Sequence, residues 1–533
     1  MVVRKSLLKN HTVVMVILMM VFCIQSLNSI YESSATFDEV QNFGLGKYLL
    51  AEHKWDVMGS IAHPPVGFYL TSLPLLLWDE DKRYWDYEEG VNRKDLLFLG
   101  AVDVYRGQAF LSSGENRDDR LLKLSRSIIL ALTLLLGYYI FRLSREFYGD
   151  YGGLLSLAIF AFCPNLLAYS GIATQDMPLA VFWFITCYYF WVFLQKNCYK
   201  AAVLTGIFLG LAFATKFTSF LLIPLQLSLY LIYIIKNHIR PDFKILIIYA
   251  VSAFVLSASY RFDMTPFFQG IELLKLEMTA GQSAFFHGEL SNHGWWNFYL
   301  AALLLKTPIP VTILFAAAVA LHIIKKRWFT LLFLIAPVIT LLIVSSCSNF
   351  AIGTRYLLPI YPLMYVSIGQ LADTGKRAVI LIVILLCWLA VSSLHVAPHY
   401  LAYFNELIGG PSNGYKYLVD SNLDWGQSLK TLKKYMDEHG VKRVSLSYFG
   451  ADSPQRYGID YDWLPSHHLY NPESDKAVYL PQNQLLAISV TNLQGVYLQN
   501  RNEFTWLMEY EPVAKIGYSI FIYDLTHRKL NIQ

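Results

Sequence analysis

Long apolar runs recur through the first three quarters of the chain, separated by short polar stretches. A helix rises about 1.5 Å per residue, so roughly 20 apolar residues cross the hydrocarbon of a bilayer. Runs at 12–30, 121–141, 152–170, 177–194, 201–215, 218–235, 244–260, 297–323, 328–346, 356–372 and 378–396 predict about eleven transmembrane helices by that rule. The first run starts basic, as a signal peptide does, but no small-residue cleavage site follows Ile30. It is therefore read as an anchor. Beyond residue 396 the pattern changes. Val444–Phe449, Leu485–Val490 and Ser519–Tyr523 have strand composition, and Asp424 is placed to cap a helix through Tyr435-Met436.

Composition agrees with a membrane protein carrying a water-soluble remainder. Hydrophobic residues make up 55 % of the chain and charged residues 15 %, where a soluble domain has about a quarter charged. The net charge of +4 is small and dispersed, so no nucleic-acid footprint is present. The basic residues fix the orientation. With Arg4, Lys5 and Lys9 inside, alternation brings Arg142/Arg145, Lys196/Lys200, Lys236/Arg240/Lys244, Lys325/Lys326/Arg327 and Lys376/Arg377 to the same side. The expected architecture is a multi-pass domain over 1–396, with an extracytoplasmic mixed α/β domain over 397–533. The N-terminus is cytoplasmic. The loop 31–120 lies outside. Within it Val66–Trp78 is too short to span and lies at the interface, and 79–120 is a charged, solvated excursion. None of the six cysteines lies in the tail or forms a metal-binding spacing, so no disulfide framework is expected.

Seven polar groups then share the outer membrane face: Asp38, Glu39, His63, Asp176, Lys216, Arg261 and Arg355. Charges beside hydrocarbon are costly, and functional roles are the first reading for them. Carboxylates serve as bases, and Lys and Arg suit a phosphate. Each also has a simpler reading. Asp38-Glu39 and Asp176 suit helix starts. His63 is more often a hydrogen-bonded loop residue than a catalyst. Lys216 and Arg355 can anchor at an interface, and Arg261 can pair with Asp263. Glu272, Glu277, His287 and His293 lack the spacing of a metal set. The tail holds no Gly-rich phosphate loop and no triad spacing.

The motifs "FDE" after the first span, "AHPPVGFY", "TQDMPLA" opening the fourth span, "GLAFATKFTSFLLIP" and "GTRYLLPIYPL" occur in an order that resembles the GT-C glycosyltransferases of the protein O-mannosyltransferase and aminoarabinose transferase superfamily. "HYLAYFNELIGGPSNGYKYLVDSNLDWGQSLKTLKKY" resembles a tail of bacterial members. The His-Pro-Pro element is similar to that of the mannosyltransferase branch, which continues with Leu-Gly-Lys where this chain has Val66-Gly67-Phe68. The segment 261–296 is too short for that branch's β-trefoil insert.

The resemblance implies a GT-C fold and inverting transfer of a sugar from a polyprenyl-phosphate donor to a hydroxyl of a lipid, glycan or protein acceptor. The setting would be the bacterial inner membrane. Asp38 would be the general base, with Glu39 orienting it or the acceptor. His63, Asp176, Lys216, Arg261 and Arg355 would bind donor phosphate or substrate. No cofactor is required, although Asp38, Glu39 and Asp176 could hold a divalent cation. Two other classes stay open. A transporter would show inverted repeats and intramembrane charges, and a flippase or lipid-binding scaffold would need the phosphate cluster without a base.

Overall fold

The computed structural model describes residues 2–55, 58–77, 99–112, 119–466 and 485–525. Most of the expected charged excursion at 79–120 therefore lies outside the described residues. Six helices among them are long and apolar enough to cross a membrane: His11–Glu32, Arg120–Ala161, Asp176–Lys196, Phe217–Asn237, Trp328–Ser346 and Lys376–Val396. Phe298–Lys306 and Ile309–Ile324 make a seventh if counted together, bent by 109°.

The difference from eleven lies in helix continuity, which hydropathy does not read. The 42-residue segment Arg120–Ala161 breaks at Gly149, where φ is +76°. Ser156 Oγ donates to Ser144 Oγ at 2.8 Å, twelve residues back. An unbroken helix would hold them about 18 Å apart. The segment is thus a helical hairpin. The run expected at 121–141 lies in its first arm, and the run at 152–170 is split between its second arm, which ends at Ala161, and the separate helix Pro164–Ser170. The runs at 201–215 and 244–260 become the shorter helices Tyr199–Phe213 and Lys244–Ser259, packed on each other. Gly206 permits that approach, since a Cβ there would lie 2.6 Å from the Ile248 carbonyl oxygen. The run at 356–372 is a nine-residue helix, Ile360–Ile368, between 3-10 turns. Val66–Ser72 is a short helix continued by a 3-10 turn over Leu73–Leu77.

Contacts sort the helix ends. His11 pairs with Asp150 at 3.3 Å, Tyr148 bonds His322 at 2.8 Å, and Lys325 meets Asp373 at 3.7 Å. The start of the first helix therefore shares one end of the bundle with the turns near Arg142/Arg145, Lys325 and Lys376. The acidic helix Phe37–Glu52 begins at the opposite end.

One buried ion pair organises that opposite end. Arg126, in the first arm of the hairpin, donates from Nε to Glu39 Oε1 at 2.8 Å and from an NH2 hydrogen to Oε2 at 2.7 Å. Its remaining donors reach the carbonyls of Ile30, Ser33 and Ser34. Glu39 also accepts the N–H of Thr36 at 2.8 Å and of Ala173 at 2.7 Å. Both side chains are fully buried. Burial alone would raise the Glu39 carboxyl, but the Arg126 charge and these donors hold it below its usual value. The pair therefore ties together the end of the first helix, the turn before the acidic helix, the hairpin and the loop at 173.

The tail carries a five-stranded mixed sheet. With β1 (Ala284–Phe286) and β2 (Glu289–Ser291) forming a separate small ribbon, its strands are β3 (Val444–Ser447), β4 (Tyr461–Trp463), β5 (Leu485–Ser489), β6 (Ala514–Ile516) and β7 (Ile520–Asp524). They lie in the order β4-β3-β5-β7-β6. β3 is parallel to both β4 and β5, and β7 is antiparallel to both β5 and β6. Helix Leu429–Glu438 packs Leu429, Leu432 and Met436 against Val444, Leu446 and Ile520. Asp424 does not cap this helix, which starts after Ser428. It is buried instead against Thr491, whose N–H reaches Oδ2 at 3.1 Å, while Oδ1 has no hydrogen-bond partner among the described residues.

Two stability predictions follow from these buried charges. Arg126→Met or Glu39→Gln leaves the other partner buried and uncompensated, which should cost about 3–5 kcal/mol. The double replacement Arg126→Met/Glu39→Leu should recover part of that loss. Unfolding of the detergent-solubilised protein measures this, and single variants as stable as the wild type would refute it. Burial pushes the Asp424 carboxyl up to about 7. It therefore holds its proton more tightly folded than unfolded, and its contribution to stability falls as pH rises from about 4 to about 7. Asp424→Asn should become increasingly more stable than the wild type across that window. Parallel pH profiles of the two proteins would show that Asp424 does not titrate there.

Candidate active site beside the acidic helix

Three chain segments bring charge together beside the acidic helix. Asp176 opens the helix Asp176–Lys196. Lys216 follows the helix Tyr199–Phe213, before the 3-10 turn Phe217–Leu221. Arg355 stands in the 3-10 turn Thr354–Leu357. Backbone contacts hold these loops in place. Val66 N–H donates to Ala214 O at 2.8 Å, which binds the His-Pro-Pro element to the Lys216 loop. Gly67 lets the 171–176 loop approach, because a Cβ there would lie 2.3 Å from Gln175 Cγ. Asn42 bonds both Ala173 O and the Gln175 side chain.

The result is a line of alternating charge. Lys216 Nζ donates to Asp176 Oδ1 at 2.5 Å. Arg355 approaches Asp176 Oδ2 at 3.9 Å and donates to Asp38 Oδ2 at 2.5 Å. Asp176 also accepts the Thr174 hydroxyl at 3.2 Å. Exposure is lowest at Asp176 and highest at one end: the Lys216 side chain is 7 % exposed, Asp176 2 %, Arg355 11 % and Asp38 30 %. Asp38 is thus the accessible end, and among the described residues its Oδ1 carries no hydrogen bond. Lys216 also lies 4.8 Å from the Tyr356 ring centroid, and Arg355 4.6 Å from that of Trp425.

The sequence-predicted residues separate into groups. Asp38, Asp176, Lys216 and Arg355 form the line. His63 borders it, with its Nδ1 buried and unpartnered among the described residues. Burial and the Lys216 cation push its imidazole down to about 3, so the ring is neutral near pH 7 and is not a cation for phosphate. Glu39 is adjacent to Asp38 in sequence but turned into the Arg126 pair, with no free face for an acceptor. Asp38, Glu39 and Asp176 consequently do not converge as a metal set among the described residues. Arg261 sits exposed at a left-handed corner, φ +54°. Asp263 accepts the N–H of Thr265 at 3.0 Å.

Sequence reasoning missed Arg126, although a lone arginine near the start of an apolar run was the available signal. It also missed Tyr356 and Trp425. Among aromatic residues that make up 15 % of the chain, nothing local marks the two that meet cations.

A family model described as dolichyl-phosphate-mannose-protein mannosyltransferase matches residues 125–260. That stretch contains Arg126, Asp176 and Lys216 but not Asp38, Glu39 or Arg355. No curated protein matches the chain. Among solved structures, ArnT from Cupriavidus metallidurans bound to undecaprenyl phosphate is similar, with a TM-score of 0.52 at 12 % identity over 95 % of this chain and 97 % of that one. Its apo state gives 0.51 at the same identity and coverage. The Archaeoglobus fulgidus oligosaccharyltransferase in the apo form gives 0.46 at 11 % identity, over 87 % and 64 %. At such identities the likeness to ArnT is one of architecture, and it extends over nearly the whole chain: this multi-pass membrane protein has the GT-C glycosyltransferase fold.

Proposed function

We propose that this protein is an integral-membrane glycosyltransferase that moves a sugar from a polyprenyl-phosphate donor to an acceptor hydroxyl at the outer face of a bacterial inner membrane. The observation that carries the reading is the charge line Lys216–Asp176–Arg355–Asp38, whose exposed end is a carboxylate with one oxygen that has no hydrogen bond among the described residues. A site built for lipid phosphate needs cations near the bilayer, and a transferase also needs a base. This line offers both within one cluster. The ArnT structure that shares the fold contains undecaprenyl phosphate, which supports a lipid-phosphate donor here.

The geometry supports the following chemistry. The acceptor hydroxyl gives its proton to Asp38 as its oxygen attacks the anomeric carbon. The bond from that carbon to the phosphate oxygen breaks, and the polyprenyl phosphate leaves with the electron pair. Attack opposite the leaving group inverts the anomeric configuration. Arg355 has five N–H donors, and only one NH1 contact to Asp38 is a hydrogen bond among the described residues, so donors remain for a phosphate oxygen. Lys216 and Arg355 meet the charge that develops on the leaving group. Asp176 holds both cations and offsets their mutual repulsion. The rate gain asked of Asp38 is about two to four orders of magnitude, the usual range for a positioned base. No metal is required by this scheme.

Mass spectrometry of envelope glycans in a deletion strain identifies the sugar and acceptor. Single-turnover transfer from the matching polyprenyl-phosphate sugar then tests the base. Asp38→Asn should lower turnover by about 100-fold or more with donor affinity little changed. A lipid-phosphate flippase or scaffold would be indifferent to this change, so near-normal transfer by Asp38→Asn would remove the base. The cations are tested by donor binding. Charge-assisted contacts to phosphate are the strong ones, so Lys216→Ala should weaken donor affinity by about tenfold or more. Arg355→Lys should also weaken it, because an ammonium lacks the planar fork. Unchanged affinity in both variants would take these residues out of the donor site.

A further inference from the structure

Arg355 is placed by two neighbours of different origin. Asp38 takes one of its N–H groups, and aromatic rings take its face. The guanidinium carbon lies 4.6 Å from the centroid of Trp425 and 5.6 Å from that of Tyr356. Tyr356 is the next residue in the chain. Trp425 arrives from the carboxyl-terminal tail, seventy residues on, in a sequence, Asp424-Trp425-Gly426-Gln427, that no step of the transfer has so far used.

Each residue of that tetrapeptide serves to hold the indole still. Gln427 closes the turn on itself: its Oε1 accepts the Trp425 N–H at 2.7 Å and its Nε2 donates to Leu423 O at 2.8 Å. Gly426 has φ +90°, and a Cβ there would lie 2.7 Å from Tyr448 Oη and 3.1 Å from Gly450 Cα. The Gly426 carbonyl accepts the hydroxyls of Ser34 at 3.0 Å and Tyr448 at 2.8 Å. Asp424 is bonded to the Thr491 N–H on the sheet side. On the membrane side, Phe37 N–H donates to Trp425 O at 2.8 Å and Ser34 N–H to Gln427 O at 3.0 Å. The turn is therefore fastened both to the tail sheet and to the residues that precede Asp38. The indole itself is 2 % exposed and also meets Tyr169 edge-on at 6.4 Å.

We propose that Trp425 is a positioning residue of the transfer site: stacked on Arg355, it fixes the plane of the guanidinium so that the cation addresses the donor phosphate while remaining bonded to Asp38. This rests on the proposed glycosyl-transfer reading, and it makes the tail part of the site. A guanidinium held only at NH1 can swing about that contact. An aromatic face removes this freedom, and a desolvated cation–π contact is strong enough to affect affinity measurably. The effect requires a planar cation, which is what a lysine at 355 would lack.

The test is a double-mutant cycle read by binding of a polyprenyl monophosphate to the purified full-length protein, with thermal unfolding of every variant as the control for folding. Trp425→Leu fills much of the volume without an aromatic face and should weaken binding by about tenfold. Trp425→Phe restores a face and should bind within about threefold of the wild type. In an Arg355→Lys background, Trp425→Leu should have no further effect, because the stacking partner is already lost. Trp425→Met takes the place of the leucine variant should the latter fail to fold. A loss that is the same in both backgrounds, a leucine variant equal to the wild type, or a phenylalanine variant as weak as leucine would each overturn the positioning role while leaving the transferase reading intact. A wild-type protein that binds no polyprenyl monophosphate would instead bring down the donor assignment, and the role of Trp425 with it.

Discussion

The end of the bundle that holds the charge line depends on the Glu39–Arg126 pair. Two full charges are buried there with no exposed surface, a placement that is tolerable only when every donor and acceptor is used. Here they are. Arg126 spends its donors on one carboxylate and three carbonyls, and Glu39 accepts from three separate segments. This requirement fixes the backbone from Ile30 to Glu39 and the loop at Ala173. The position of Asp38 follows. Successive residues on a helix point about 100° apart, so with Glu39 directed into the core, Asp38 points away from it, toward Arg355. Two adjacent carboxylates thereby take unlike surroundings, one buried on Arg126 and one partly exposed beside Arg355.

The cation side is assembled on the same logic of mutual restraint. Asp176 lies between Lys216 and Arg355 and keeps two like charges close at a site where neither could be buried alone. Tyr356 contacts both cations, and Trp425 covers the guanidinium. The apolar core is continuous from the membrane helices into the tail, with Trp425, Phe449 and Leu486 in the same cluster as Phe22 and Ile30. The loops that hold the charge line are therefore set where the helix bundle and the tail pack against each other.

Much of this was legible in the chain. Apolar runs revealed a polytopic protein, and three of the tail strands were readable from composition. The order of the motifs pointed to the GT-C fold. Four of the seven outer-face groups, Asp38, Asp176, Lys216 and Arg355, do meet. Each was found for the same reason: a charge next to hydrocarbon is expensive, and its persistence needs a partner or a purpose. Arg261 met the same criterion and stands apart, exposed at its corner, because proximity to a membrane end says nothing about which neighbour that end faces.

What the sequence determined by itself was the set of segments that must leave water and the charges that would then be stranded at their ends, because the transfer free energy of a side chain is a local property. What only the tertiary structure decided was pairing: that Glu39 belongs to Arg126 and Asp38 to Arg355, that the hairpin breaks at Gly149, and that Trp425 from the tail covers a cation seventy residues away. A buried charge accepts whatever partner packing brings within about 3 Å, and distances between segments remote in sequence are set by the whole fold and not by any stretch of the chain.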